Sequence, residues 1–123
     1  MTLTHRRAGS LATITATGSH PEAEFEALVR AVIAESGAAA APLQLLFDVR
    51  GFETAPDAET LKHVGMRFAD LRPPLSERHA FVVRDQLQYG IAHEVAGWAG
   101  TRGIKVGIFR AIDEAERWLL ALD

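Results

Sequence analysis

The run Leu43-Gln44-Leu45-Leu46-Phe47-Asp48-Val49 constrains this chain more than any other segment. Successive side chains of a strand point to opposite faces, so a strand that is apolar at nearly every position needs cover on both faces. Such a strand belongs in the centre of a sheet, with other elements packed over it. The segments around it supply those elements. Leu3 to Arg6 and Leu11 to Thr17 alternate like strands and are separated by Arg7-Ala8-Gly9-Ser10, a hairpin pattern. Ser19-His20-Pro21-Glu22 has the form of a capping box with Pro21 in the first turn, and Phe25, Leu28, Val29, Val32 and Ile33 follow at helical spacing up to Gly37. Ala38 to Pro42 reads as a small-residue connector.

Beyond the central strand, Thr54-Ala55-Pro56-Asp57 opens a helix with a stripe of Leu61, Val64, Phe68 and Leu71, which Pro73-Pro74 stops. His79-Ala80-Phe81-Val82-Val83 reads as a strand. Asp85 and Gln88 are placed to cap a helix carrying Leu87, Ile91, Val95 and Trp98 and ending near Gly100. Ile104 to Phe109 is the last strand, and Asp113 and Glu116 are placed to cap a closing helix with an apolar face of Ala115, Trp118, Leu119 and Leu122. The order is β-β-α-β-α-β-α-β-α. Strands alternating with helices predict an α/β fold with right-handed crossovers and a mixed, mostly parallel sheet, the opening hairpin adding an antiparallel strand. At 123 residues the chain is one domain, since halves would be too small to bury a core, and no internal repeat or boundary is visible.

Composition narrows the chemistry. Hydrophobic residues make up 48% and charged residues 24%, as in an ordinary globular protein. A net charge of −3 and a pI near 5.9 give no basic face for nucleic acid. The absence of cysteine excludes disulfides, thiolate catalysis and thiolate metal sites. No apolar run reaches the roughly 20 residues that cross a bilayer. The arginine pair Arg6-Arg7 precedes an alternating strand pattern rather than a signal's apolar core, so a cytoplasmic location is expected.

The polar residues point to few sites. His5, His20, His63, His79 and His93 fall on different elements with no pair three or four apart, which favours separate surface or packed roles over a metal site; no metal is expected. Gly51 stands alone after its strand and Gly107 lies within one, so neither forms a phosphate-cradling loop, and no cofactor is expected. No Ser-His-Asp order, paired carboxylates or redox motif is legible, and no catalytic residues are assigned. Tyr89, Trp98, Trp118, Met66 and Phe68 fit helical stripes and are expected in the core. The polar strand ends stand out instead: Asp48-Val49-Arg50, Arg84-Asp85-Gln86 and Arg110. The carboxyl ends of strands are where open α/β sheets bind their ligands. Asp85 reads as a helix cap and Asp48 with Arg50 as a pair that orients the loop. Alternatively, Arg50, Arg84 and Arg110 form an anion-attracting rim beside helix N-termini.

The stretch Leu45-Leu46-Phe47-Asp48-Val49-Arg50-Gly51-Phe52, followed by the helix at Asp57, resembles the "apolar strand, Asp, apolar, polar, Gly, apolar" segment of STAS domains. That fold is shared by anti-sigma-factor antagonists and sulfate-transporter tails. The element order matches along nearly the whole chain. The ending, Val106-Gly107-Ile108-Phe109 through Asp113 to Leu119, resembles the close of small bacterial STAS-like (SpoIIAA-like) proteins. The resemblance implies a non-catalytic module that binds a protein partner. Its interaction or ligand surface would comprise Asp48, Arg50, Gly51, Thr54, Asp57, Arg84, Asp85 and Arg110. In regulatory STAS domains a phosphorylatable Ser follows an Asp at the start of this helix. Here Pro56-Asp57-Ala58-Glu59-Thr60 carries one extra loop residue, Asp57 matches the Asp, and Ala58 stands where the Ser would be. Ala58 has no hydroxyl to accept phosphate, and the nearest hydroxyls, Thr54 and Thr60, read as cap or first-turn residues. STAS-like folds also resemble part of the lipid-binding SEC14 group, which implies the alternative of a small apolar or anionic ligand between helix and sheet. Gly65, Ala69, Ala92 and Ala96 either leave room for it or serve close helix packing. A homodimer through the hairpin edge or the helix faces fits either reading.

Overall fold

The computed structural model describes residues 2–19, 22–36, 43–53, 56–70 and 76–121. Among the described residues nine elements follow one another: β1 (Thr2–Ala8), β2 (Leu11–Gly18), α1 (Glu22–Ser36), β3 (Gln44–Phe52), α2 (Ala58–Asp70), β4 (Arg78–Val82), α3 (Gln86–Gly100), β5 (Lys105–Phe109) and α4 (Ile112–Leu120). The order is the one the periodicity predicts. The five strands lie side by side in chain order; β1 is antiparallel to β2, and every other pair is parallel. Ala8 faces Leu11, so the hairpin turns on Gly9 and Ser10 alone. Gly9 adopts φ +62°, which an L side chain resists and which the first loop position of such a tight turn requires.

The central strand is covered as its composition demands. Leu45 and Phe47 face one core with Ala12, Ile14, Val29, Val32, Leu61, Phe68, Val95 and Ala99, which places α1, α2 and α3 on that face. Leu46 faces a second core with Ala80, Val82, Ala115 and Leu119, so α4 covers the other face. α4 is held there by two bonds to its last carbonyls. Gln44 Nε2 donates to Leu119 O at 2.8 Å, and Arg78 Nη2 donates to Trp118 O at 2.6 Å with its guanidinium 4.2 Å from the Trp118 ring centre. Arg67 of α2 reaches Glu26 of α1 at 2.9 Å and ties the two helices on the first face.

Three expectations need correction. Leu87 is 66% exposed and Tyr89 41%; the buried line of α3 is Gln88, Ala92, Val95 and Ala99. The cap at Asp85 sets the helix phase, and that phase turns Leu87 to solvent and leaves Tyr89 stacked on His93 at 6.2 Å. Asp113 and Glu116 do not cap α4: its N-cap is Ala111, without a side-chain bond, because the helix begins immediately after the short Arg110-Ala111 turn. Gly51 lies inside β3, not after it, because a bulge carries the strand on to Phe52. Leu71, Pro73, Pro74, His20, Pro21, Gly37, the Ala38–Pro42 connector, Thr54, Ala55 and Leu122 lie outside the described residues. No helix among the described residues is long and apolar enough to cross a membrane.

His79 closes the amino end of the sheet. It is fully buried, its Nδ1 accepts from Leu45 N–H at 3.0 Å, and its Nε2 lies 2.8 Å from Ser76 O. Only the neutral tautomer with hydrogen on Nε2 satisfies both contacts. Burial pushes its pKa down to about 4, against the bond to Ser76 O, which favours the charged ring. The unfolded chain therefore takes up a proton at higher pH than the folded one. Its stabilisation is complete above the unfolded value near 6.5 and is lost as pH falls towards about 4, by roughly 3 kcal/mol. Urea titrations of wild type and His79→Gln from neutral pH to about pH 4 should show their stability difference shrinking by that amount; a pH-independent difference would refute the assignment.

Candidate functional site

The parallel strands β2 to β5 end at one edge of the sheet, and the chain leaves that edge in two directions. After β4 it turns into α3 on one face, and after β5 into α4 on the other. Loops that part in this way open a crevice at the strand ends. The expected site residues Asp48, Arg50, Gly51, Arg84, Asp85 and Arg110 all lie at this edge; Thr54 lies outside the described residues.

The bulge at the end of β3 organises the cluster. Thr15 pairs with Asp48 but Thr17 pairs with Gly51, so β3 carries one extra residue opposite Ala16. Asp48 closes the bulge on itself. Its Oδ1 accepts from Arg50 N–H at 3.2 Å and from Arg50 Nε at 2.9 Å, while Oδ2 accepts from Arg50 Nη2 at 3.0 Å. Burial works to raise the Asp48 pKa, but the bonds from Arg50 together hold it below the ordinary carboxylate range. The Arg50 guanidinium is correspondingly held more firmly protonated by Asp48. Gly51 follows where β3 comes close to β2: a Cβ there would lie 2.8 Å from Thr17 Cγ2, a distance side chains do not adopt.

The start of α3 is joined to this bulge. Arg84 Nη1 donates to Arg50 O at 2.8 Å and Arg84 Nε meets Asp85 Oδ2 at 3.0 Å. Asp85 Oδ1 accepts from Gln88 N–H at 3.0 Å, the cap the sequence predicts. That backbone bond, then the Arg84 side chain, and more weakly the charge of Arg110, hold the Asp85 carboxyl below its usual range. Gln88 is the residue that sequence reasoning undervalued. It is 8% exposed; its Oε1 accepts from Arg84 N–H at 2.7 Å, and its Nε2 donates to Val49 O at 2.8 Å and Phe52 O at 3.1 Å. Its capping-box position was legible, but nothing local announces that the amide also reaches two carbonyls of β3.

Asp57 caps α2 through Thr60 N–H at 2.9 Å, and this bond leads in holding its carboxyl low. Among the described residues no hydrogen bond or ion pair joins Asp57 to the β3–β4 cluster. Ala58, the first residue of α2, is exposed. The expected cationic rim is largely neutralised, because Arg50 and Arg84 are each paired with a carboxylate and Arg110 adds the remaining charge. Gly65 serves close helix packing: a Cβ there would lie 2.7 Å from both Trp98 Cβ and Val95 O, so α2 and α3 meet with no room between them at that point. Ala92 is buried in the α3 line, and Ala96 is half-buried. Among the described residues no three His, Asp or Glu side chains come together as a metal-binding group.

A five-stranded mixed sheet with three helices on one face and the closing helix on the other is a SpoIIAA-like fold. A solved structure with that fold, an uncharacterized protein from the DUF3478 family of Shewanella loihica PV-4, is similar to this chain over 96% of the chain and 92% of its own length. The TM-score is 0.62 at 16% sequence identity, so the likeness establishes the fold and nothing finer. No family model matches the sequence, and no curated protein matches it significantly.

The junction makes Gln88 the stability-determining residue of the cluster. Gln88→Ala strands Val49 O, Phe52 O and Arg84 N–H, and should lower unfolding free energy by about 2 kcal/mol, whereas Ala at exposed Gln86 should change it by less than about 0.5 kcal/mol. Urea denaturation of the two variants checks this; equal losses would mean that the Gln88 amide is not what joins α3 to β3.

Proposed function

We propose that the chain is a non-catalytic, STAS-like protein-interaction or regulatory module of the cytoplasm, which contacts its partner through the strand-end cluster and the first turn of α2. The observation that carries this reading is the state of the carboxylates. Asp48, Asp57 and Asp85 are each bonded to a backbone N–H and are each held below the ordinary pKa range. A general acid or base working near neutral pH needs the opposite shift. These groups serve instead to hold the backbone of the bulge and of two helix starts in place. The product is a polar surface of fixed shape, and rigid, matched polar groups favour specific protein contacts by lowering the ordering cost of association.

Ala58 supports constitutive binding rather than a phosphorylation switch at that position, because an exposed first-turn residue without a hydroxyl has nothing to modify. The alternative of a small apolar or anionic ligand draws less support: Gly65 packs against α3 instead of lining a space, and two of the three rim arginines are already engaged.

Ala58→Arg and Arg110→Glu alter exposed positions of this surface without touching its internal bonds. Immobilised wild type should enrich a protein from native lysate about tenfold or more over beads, and each variant should lose most of that enrichment. Equal enrichment by wild type and both variants would move the contact elsewhere, and no enrichment after crosslinking would overturn the reading.

A further inference from the structure

α3 differs from its neighbours in what it shows to water. Its only Asp, Glu, Lys or Arg in fifteen residues is Glu94, whereas α2 exposes Glu59 and Lys62 and α4 exposes Asp113, Glu114 and Arg117. Among the described residues three large apolar side chains are exposed, and two of them, Leu87 and Tyr89, are on α3. Gly90 and Gly97 stand two turns apart on the side opposite the buried line of Gln88, Ala92, Val95 and Ala99. A Cβ at either glycine would meet nothing within 4 Å, so no contact inside the chain calls for glycine there. Each nevertheless lowers the stability of the helix relative to alanine. Gly65 shows what the residue provides when it is needed: there it lets α2 and α3 touch.

The side chains on either side of this glycine line are complementary. With about 100° between successive residues, Leu87 and Glu94 lie on the flank towards α2, and Tyr89 and His93 on the flank away from it. Trp98 marks the first flank, since its Cβ is the atom that a Cβ at Gly65 would strike and Lys62 of α2 lies 4.8 Å from its ring centre. Along the second flank Tyr89 stacks on His93. Each residue has its counterpart at nearly the same height on the other flank. Leu87 and Tyr89 differ by two positions, about 3 Å along the axis, and His93 and Glu94 by one, about 1.5 Å.

We propose that the outer face of α3 is a symmetric interface between two copies of the chain, their α3 helices packed in parallel about a two-fold axis that runs along them. Such an axis keeps heights unchanged and exchanges the flanks. Gly90 and Gly97 then face the same glycines of the second copy and let the two backbones come close. Leu87 packs against Tyr89 of the second copy, and the Glu94 carboxylate accepts from its His93 imidazole; each contact is made twice. An antiparallel pair keeps each flank facing its own kind and sets the two Glu94 carboxylates side by side. Each flank is thus the complement of the other flank of the same helix, which identifies a second copy as the occupant. α2 stands beside one flank only, and β5, the last strand, lies beneath. The rotation therefore brings each α2 beside the open flank of the other copy and not against its α2. The interface does not depend on the role of the strand-end cluster, although both clusters would open at the same end of the dimer.

Sedimentation equilibrium of the full chain up to roughly 100 µM tests the interface. Wild type should dimerise with concentration. Gly97→Gln puts a better helix former where there is open space, so in dilute solution its melting temperature should hold or rise, while its dimer dissociation constant rises about tenfold or more. His93→Glu should weaken the dimer about tenfold or more, and adding Glu94→Lys should restore it to within about threefold. The chain has no cysteine, so Gly97→Cys reports the orientation: under mild oxidation it should form a disulfide-linked dimer by itself. Crosslinking only on mixing with Gly90→Cys would show an antiparallel pair and overturn the proposal. A wild type monomeric throughout, a dimer indifferent to Gly97→Gln, or a double variant no better than His93→Glu alone would each overturn it as well.

Discussion

Leu45 and Leu46 are adjacent in β3, both fully buried, and point into different cores. Keeping both dry demands cover on both faces of one strand, and the rest of the molecule meets that demand. Each such side chain contributes about 1.5–3 kcal/mol when withdrawn from water, an amount comparable to a sizeable share of a small domain's net stability. One face is covered by the crossover helices, which parallel strands laid down in chain order place on a common side. The other is covered by α4, which reaches it because the chain turns the opposite way after β5. Its anchors, Gln44 and Arg78, stand at the amino ends of β3 and β4, directly below its last turn.

That change of side also makes the strand-end crevice. The polar groups there act chiefly on the backbone: Asp48 on a bulge, Asp85 on a helix start, and Gln88 on both at once. The arrangement explains why a cluster rich in charge has little unbalanced charge to offer an anion, and why its carboxylates stay ionised rather than poised to transfer a proton. A surface built this way presents shape and fixed hydrogen-bonding groups, the feature on which the proposed interaction role rests. β1, at one edge of the sheet, carries His5, Arg6 and Arg7, charges that discourage strand-to-strand pairing there.

Where the sequence misled, the cause is a signal too local to see its context. Leu87 fits an apolar stripe by spacing, yet the Asp85 cap rotates the stripe and the buried place goes to Gln88, a polar residue that pattern reading assigns to the surface. Asp113 and Glu116 carry the right chemistry for a helix start, but the turn after β5 is only two residues long and the helix begins before them. Gly51 reads as a loop glycine because a bulge inside a strand leaves no trace in hydrophobic alternation. The rim of arginines was visible as composition, while its neutralisation by Asp48 and Asp85 was not.

The kind and order of the elements, the central position of β3, the hairpin at Gly9 and the cap at Asp85 follow from the sequence alone, whereas Asp57, rather than a threonine, as the cap of α2 was seen only in the structure. Each is decided by residues within a few positions of one another, through hydrophobic period, backbone conformation or a side chain's reach to its own helix. The face on which α4 settles, the close contact at Gly65, the burial of His79 between Leu45 and Ser76, and the junction made by Gln88 were decided only by the tertiary structure. Gln88 meets Val49 across 39 positions and His79 meets Leu45 across 34. Such partners are chosen by which strand ends come to lie together, and that choice is made by packing of the whole sheet, which no local pattern records.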